Sequence, residues 1–228
     1  MKKIGLIGGM SWESSHVYYK IVNEKVRERL GGHHSCPCVM ESVDFAEIAE
    51  LQHNDEWKKL DALMVDAAQN LERANAEVIV LCTNTMHLCS EEIIKNINIP
   101  FIHIVTAIGN KIKAGGIDNV LLLGTKFTME SDFYKEILYN EFGIKTVIPN
   151  KEDRGEVHRI IYDELVQGQI KDESRAIYKE IIEKSGAKGV ILGCTEIPLL
   201  IKEGDVSIPI YDTTRIHAES AVEFALGL

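Results

Sequence analysis

The chain has 228 residues, 45% of them hydrophobic and 26% charged, with a formal net charge of −10. That length allows one large α/β domain or two smaller ones, each with its own core. Acids and bases are mixed along the chain and no basic stripe carries interleaved aromatics, which excludes nucleic acid as the expected partner.

The first apolar run, Ile4-Gly5-Leu6-Ile7, is broken by glycine too soon for a signal peptide, and no later run approaches a membrane span, so a cytoplasmic protein is expected. In a reducing compartment, Cys36, Cys38, Cys82, Cys89 and Cys194 are then free thiols, catalytic groups or metal ligands rather than disulfides. In chain order, short β-branched or aliphatic runs fall at Lys3–Ile7, Val39–Val43, Val78–Leu81, Val120–Leu123, Lys145–Ile148 and Val190–Leu192. Between the second and third, Trp57, Leu60, Met64, Ala67, Leu71 and Ala74 recur at three or four residues, as one face of an amphipathic helix does. The last segment, Thr213 to Leu228, has helical spacing at Ile216, Ala221, Phe224 and Ala225. Strand and helix alternating in this way predict an α/β fold of parallel sheets flanked by helices.

The chain is also written twice. Ile4-Gly5-Leu6-Ile7-Gly8-Gly9-Met10 is echoed by Val120-Leu121-Leu122-Leu123-Gly124-Thr125, and Val78-Ile79-Val80-Leu81-Cys82-Thr83-Asn84-Thr85 by Gly189-Val190-Ile191-Leu192-Gly193-Cys194-Thr195-Glu196. Asn98-Ile99-Pro100-Phe101-Ile102 returns as Ser207-Ile208-Pro209-Ile210-Tyr211. The offsets are 116 from Gly8 to Gly124, 111 from Thr83 to Cys194 and 109 from Pro100 to Pro209. Two pseudo-symmetric halves follow: residues 1–103 with 212–228, whose C-terminal helix packs back on the first half, and residues 104–211. Ligands on open parallel sheets bind beyond the carboxyl ends of the strands, where each repeated motif stands. Two such halves facing each other predict one active site in the cleft between them, and a pseudo-symmetric cleft suits a reaction whose two faces are mirror images.

The motifs Cys82-Thr83-Asn84-Thr85-Met86-His87 and Gly193-Cys194-Thr195-Glu196-Ile197, with the opening Gly8-Gly9-Met10-Ser11-Trp12-Glu13-Ser14, resemble those of the aspartate/glutamate racemase family. The match runs over essentially the whole chain and is nearest its aspartate racemase and broad-specificity amino-acid racemase branch. The resemblance implies racemisation of a small amino acid by two acid/base groups, one on each side of Cα, with no PLP, metal or other cofactor, and a homodimer. A free thiol titrates near ~8.5 and is lowered at a helix N-terminus, which brings a thiolate within reach at neutral pH. In the second half the resemblance assigns Cys194. The first half departs from the family's usual Cys-Asn-Thr: aligning on Asn84-Thr85 and His87 puts Thr83 in the catalytic position and Cys82 one residue earlier. Thr83 is the favoured first-half group and Cys82 the alternative, since neighbouring strand side chains point to opposite faces. A hydroxyl is a possible donor but a poor base, so Cys194 is read as base and Thr83 as donor. Aspartate-specific relatives carry an Arg and a Lys where this chain has Phe45 and Val166, which leaves a neutral substrate, or an acidic one held by other groups. Met10, Gln52, Asn84, Thr85, Thr125 and Glu196 are the substrate-pocket candidates.

Plainer readings apply elsewhere. Gly5-Leu6-Ile7-Gly8-Gly9 lacks dinucleotide and P-loop spacing and reads as a tight strand-to-helix turn. His33-His34-Ser35-Cys36-Pro37-Cys38 has no second ligand pair at zinc spacing, so no metal site is expected. His87 and His217 either orient catalytic groups or fill the core. Glu196 either tunes Cys194, binds an ammonium group or is an acid at a helix start. The rival functions are a related superfamily isomerase or decarboxylase using the same cysteine, and a non-catalytic amino-acid-binding protein.

Overall fold

The computed structural model describes all 228 residues, and no helix in it is long and apolar enough to cross a membrane. The chain divides into two compact units, Met1–Ile104 with His217–Leu228, and Val105–Ile216. Each contains one four-stranded parallel sheet flanked by helices, the α/β architecture predicted by the alternating pattern.

The first unit runs β1 (Ile4–Gly8), α1 (Trp12–Leu30), β2 (Cys38–Ser42), α2 (Phe45–His53), α3 (Trp57–Arg73), β3 (Val78–Leu81), a 3-10 turn (Thr85–Cys89), α4 (Ser90–Asn96) and β4 (Phe101–Ile102). The second runs α5 (Ile104–Ala114), β5 (Asn119–Gly124), α6 (Lys126–Glu130), α7 (Phe133–Phe142), β6 (Lys145–Val147), α8 (Lys151–Asp163), a 3-10 turn (Leu165–Gln167), α9 (Asp172–Lys184), β7 (Val190–Gly193), α10 (Ile197–Leu200) and β8 (Ile210–Asp212). The closing helix α11 (Thr213–Leu226) starts in the second unit and ends in the first.

The strand orders are β2-β1-β3-β4 and β6-β5-β7-β8. In each, the crossover direction reverses between the first and third strands of the unit, the switch point beside which open parallel sheets leave a crevice. Central strands β1, β3 and β7 are buried throughout and β5 in all but its first residue, as sheets covered on both faces require. On one side of the first sheet, Ile7, Ile79 and Leu81 pack with Leu60, Met64, Ala67 and Leu71 of α3. On the other, Leu6, Val78 and Val80 meet Tyr18, Val22 and Val26 of α1 and Ala218, Ala221, Val222 and Ala225 of α11. The buried face of α11 is therefore set by Ala218 and Val222 as well as the two alanines, while Ile216 and Phe224 stay half-exposed. In the second sheet Leu121, Leu123, Val190 and Leu192 pack against α8 and α9 through Val157, Ile160, Ile161, Tyr178, Ile181 and Ile182.

The glycine-rich opening is the tight turn expected. Gly9 has φ +94°, and a Cβ there would stand 2.1 Å from the Val43 carbonyl oxygen. Its N–H donates to Ser15 Oγ at 2.8 Å, and Ser11 caps α1 by accepting from Ser14 N–H at 3.2 Å. In the histidine- and cysteine-containing loop, Pro37 accepts from Ile4 N–H at 2.9 Å, Cys36 is buried and Cys38 begins β2, so the segment serves as the start of a strand.

Candidate active site

The two strand ends that carry the repeated motifs are built to the same register. In the first sheet Ile7 pairs with Leu81, and in the second Leu123 pairs with Leu192. Adding the sequence offsets 116 and 111 to the first pair gives the second. Thr83 and Cys194 each lie two residues past the paired leucine, so they occupy equivalent positions on their own sheets. Cys82 is the counterpart of Gly193. A Cβ on Gly193 would come within 2.9 Å of the Leu123 carbonyl oxygen and 3.1 Å of Thr128, so the second sheet leaves that position no side chain at all.

Burial agrees with this pairing. Cys82 is only 1% exposed and belongs to the core with Leu6, Tyr18 and Val22, where lost hydration holds its thiol far above the ordinary range. Its backbone closes the strand end, with N–H donating to Ile7 (2.9 Å) and carbonyl accepting from Ser14 Oγ (3.2 Å). Thr83 is half-buried. Its N–H turns back to Leu81 O at 2.9 Å, and its carbonyl accepts from His87 Nδ1 at 2.7 Å.

Because a carbonyl can only accept, His87 carries its proton on Nδ1, leaving Nε2 to accept from Ile104 N–H at 3.2 Å. His217 donates from Nε2 to Ile102 O (2.7 Å) and accepts at Nδ1 from the Tyr18 hydroxyl (2.9 Å). The His87 ring lies 4.9 Å from that of His103 and 5.4 Å from that of His217. Burial, reinforced by the neighbouring imidazoles, holds His87 well below its ordinary value and His217 down to about 4; burial brings His103 to about 4. All three are neutral at physiological pH. With both nitrogens engaged, His87 fixes the backbone of Thr83 and has no lone pair free to serve as a general base.

The other predicted residues of this unit spread around the same end. Asn84 is buried and precedes the 3-10 turn that Thr85, half-buried, begins. Gln52 Nε2 donates to Met86 Sδ at 3.0 Å. Met10 is 6% exposed and packs in the core with Met86, so it backs the strand end as part of the packed interior.

In the second unit Thr125 follows β5 and caps α6, its Oγ1 accepting from Thr128 N–H at 3.3 Å. Cys194, partly buried, donates its thiol proton to Glu196 Oε2 at 2.9 Å, and the Thr195 hydroxyl donates to the same oxygen at 2.8 Å. Here the structure corrects the expectation of an accessible thiolate. The following helix has only four residues, and burial followed by the charge and hydrogen bond of Glu196 holds the thiol well above its ordinary value. The backbone N–H groups of Glu196 and Thr195 act on the sulfur in the opposite direction and less strongly. Sequence reasoning missed Thr195 as Glu196's partner, though it stands inside the motif. It also missed the Tyr162 and Tyr178 phenols, which burial raises first and which are close enough to Cys194 to be coupled to its titration. They come from α8 and α9, and no local pattern links either to residue 194.

The sequence matches the Asp/Glu/hydantoin racemase family over residues 7–221. It is 25% identical to the broad-specificity amino-acid racemase RacX of Bacillus subtilis (strain 168), over 98% of each chain. Among crystal structures, a candidate Asp/Glu racemase from Yersinia pestis is similar at TM-score 0.95 and 46% identity, covering 99% of this chain and 100% of that one. An aspartate racemase homologue from Pyrococcus horikoshii OT3 is similar at TM-score 0.89 and 40% identity, with the same coverage.

Proposed function

The chain belongs to the Asp/Glu/hydantoin racemase family, and on that footing we propose that it racemises a free α-amino acid by proton transfer at Cα, with Cys194 acting on one face and Thr83 on the other. The observation that carries this reading is the common register: one proton-bearing side chain stands at the same place on each of two equivalent strand ends. Cys194 takes the α-proton, and the electron pair left on Cα delocalises into the substrate's own carboxylate, where backbone N–H groups at the strand ends are suited to hold the charge. Thr83 gives a proton to the opposite face and regains one from water, because a threonine alkoxide is far costlier to form than a thiolate. Side chains of the protein and water supply every proton transfer, so the reaction calls for neither PLP nor a metal.

The substrate class is an aspartate- or glutamate-like amino acid within a broader range. Phe45 is 44% and Val166 56% exposed; neither brings a cation for a second carboxylate, which supports acceptance of neutral side chains. The proposal includes a homodimer. The exposed Trp12 and Tyr19 of α1 are apolar surface of the kind interfaces cover, and sedimentation velocity reads the mass directly.

The test is α-proton exchange followed by NMR in D2O with L- and D-aspartate, glutamate and a panel of neutral amino acids, without added PLP or metal. Exchange with appearance of the opposite enantiomer is expected, abolished by Cys194→Ala and by Thr83→Ala and retained by Cys82→Ala. Retention by Thr83→Ala with loss in Cys82→Ala would overturn the assignment. Decarboxylation, or binding without exchange, would replace the racemase reading.

A further inference from the structure

Resting on the assignment of Cys194 as the acid/base group of the second unit, we propose that Glu196 is the proton acceptor that makes Cys194 a base, so that the two work as one relay and Glu196 does not serve as a clamp for the substrate's ammonium group. The geometry is direct. Cys194 Sγ lies 2.9 Å from Glu196 Oε2, and the hydroxyl of Thr195 donates to that same oxygen at 2.8 Å, fixing the carboxylate against the sulfur. Neither proton-bearing side chain at the two strand ends is itself charged at rest: Thr83 is an alcohol, and Cys194 keeps its proton beside a carboxylate. His87, the nearest imidazole to Thr83 in sequence, has both nitrogens committed. Glu196 is the ionisable group left to receive the proton that Cys194 must lose before it can take another.

The step balances without any further reagent. The Cys194 S–H bond breaks as a Glu196 O–H bond forms. The sulfur's freed pair then forms a new S–H bond with the α-proton as Cα–H breaks, and the Cα electron pair moves into the substrate carboxylate. Glu196 afterwards releases its proton to water, and in the reverse direction the same bonds re-form in the opposite order. Neutralising Glu196 also removes the charge that, after burial, opposes the thiolate. Once the carboxylate is protonated, the backbone N–H groups of Thr195 and Glu196 that already act on the sulfur are left to solvate it. The other titratable groups facing Cys194 are the phenols of Tyr162 on α8 and Tyr178 on α9, both raised by burial and so neutral.

The experiment measures alkylation of Cys194 by iodoacetamide against pH, read on its own peptide by mass spectrometry, beside steady-state racemisation. In the wild-type protein the alkylation midpoint is expected above that of a free cysteine. In Glu196→Gln, which keeps the shape and removes the charge, the midpoint moves to lower pH while kcat falls about 10²-fold or more and KM stays within a few-fold. Glu196→Asp recovers part of kcat. A Glu196→Gln enzyme whose KM rises with kcat and the thiol midpoint unchanged would make Glu196 a substrate clamp and overturn the proposal. So would a wild-type midpoint at or below that of free cysteine, a measurement that needs no variant to fold. Loss of racemisation in Glu196→Gln with Cys194→Ala still active would instead sink the assignment of Cys194, because the thiol titration is independent of turnover.

Discussion

Replacing His217 by Gln should remove a specific part of the protein's sensitivity to acid. His217 is fully buried, and its two nitrogens meet the Ile102 carbonyl and the Tyr18 hydroxyl. A glutamine amide offers one donor and one acceptor to the same pair. Burial lowers the imidazole from 6.5 to about 4 in the folded state. The unfolded chain therefore takes up the proton first as pH falls, so the stability contributed by neutral His217 is complete above 6.5 and is lost on the way down to about 4. At about pH 5 an unfolded imidazole is almost wholly charged while the folded one is almost wholly neutral, which costs the fold about 2 kcal/mol relative to pH 7. Urea unfolding of wild type and His217→Gln at both pH values isolates this term, because every carboxylate contributes equally to the two proteins. The variant should lose about 2 kcal/mol less than wild type between them. Equal losses would mean that the imidazole is already charged in the fold, or that the histidine cluster admits water.

Gly9→Ala should destabilise the first unit by about 3 kcal/mol or more, read as a lowered denaturation midpoint, because the backbone is left-handed there and the new methyl would meet the Val43 carbonyl. Cys82→Ala should cost about 1 kcal/mol in the same assay, the value of one lost buried atom, with kcat unchanged. Thr83→Cys should bring the kcat values for the two directions closer together, measured from each pure enantiomer, since a thiol serves as base as well as donor. An unchanged ratio would show that Thr83 does not meet Cα.

Most of the fold was readable because its central strands are continuous aliphatic runs and α3 repeats its apolar face over four turns. β4 and β8 have two and three residues, too few for any period, and only the repeated Ile-Pro segments point to them. The choice between Cys82 and Thr83 rested in the sequence on aligning Asn84-Thr85. The proposal of Thr83 draws in addition on hydrogen-bond register, a property of paired strands that one chain segment does not carry. The histidine cluster joins residues 87, 103 and 217, and the surroundings of Cys194 draw on 162 and 178; such groupings arise from packing across long loops. The Cys194–Glu196 contact is two residues apart and plain in spacing, yet spacing says nothing of the direction of the hydrogen bond. Burial first, and the Glu196 carboxylate second, hold the proton on the sulfur.

The inequality of the two matched strand ends, an alcohol on one and a thiol with a carboxylate on the other, meets a limit set by the substrate rather than the protein. Enantiomers in water have identical free energies, so their equilibrium constant is unity and no arrangement of side chains alters it. The Haldane relation then requires kcat/KM to be the same from either side. In the proposed roles, whatever advantage Cys194 and Glu196 gave one direction in kcat would have to reappear as a proportionately higher KM for that enantiomer. Under dilute substrate the lopsided site would behave as a symmetric one, and its handedness would emerge only as the enzyme saturates.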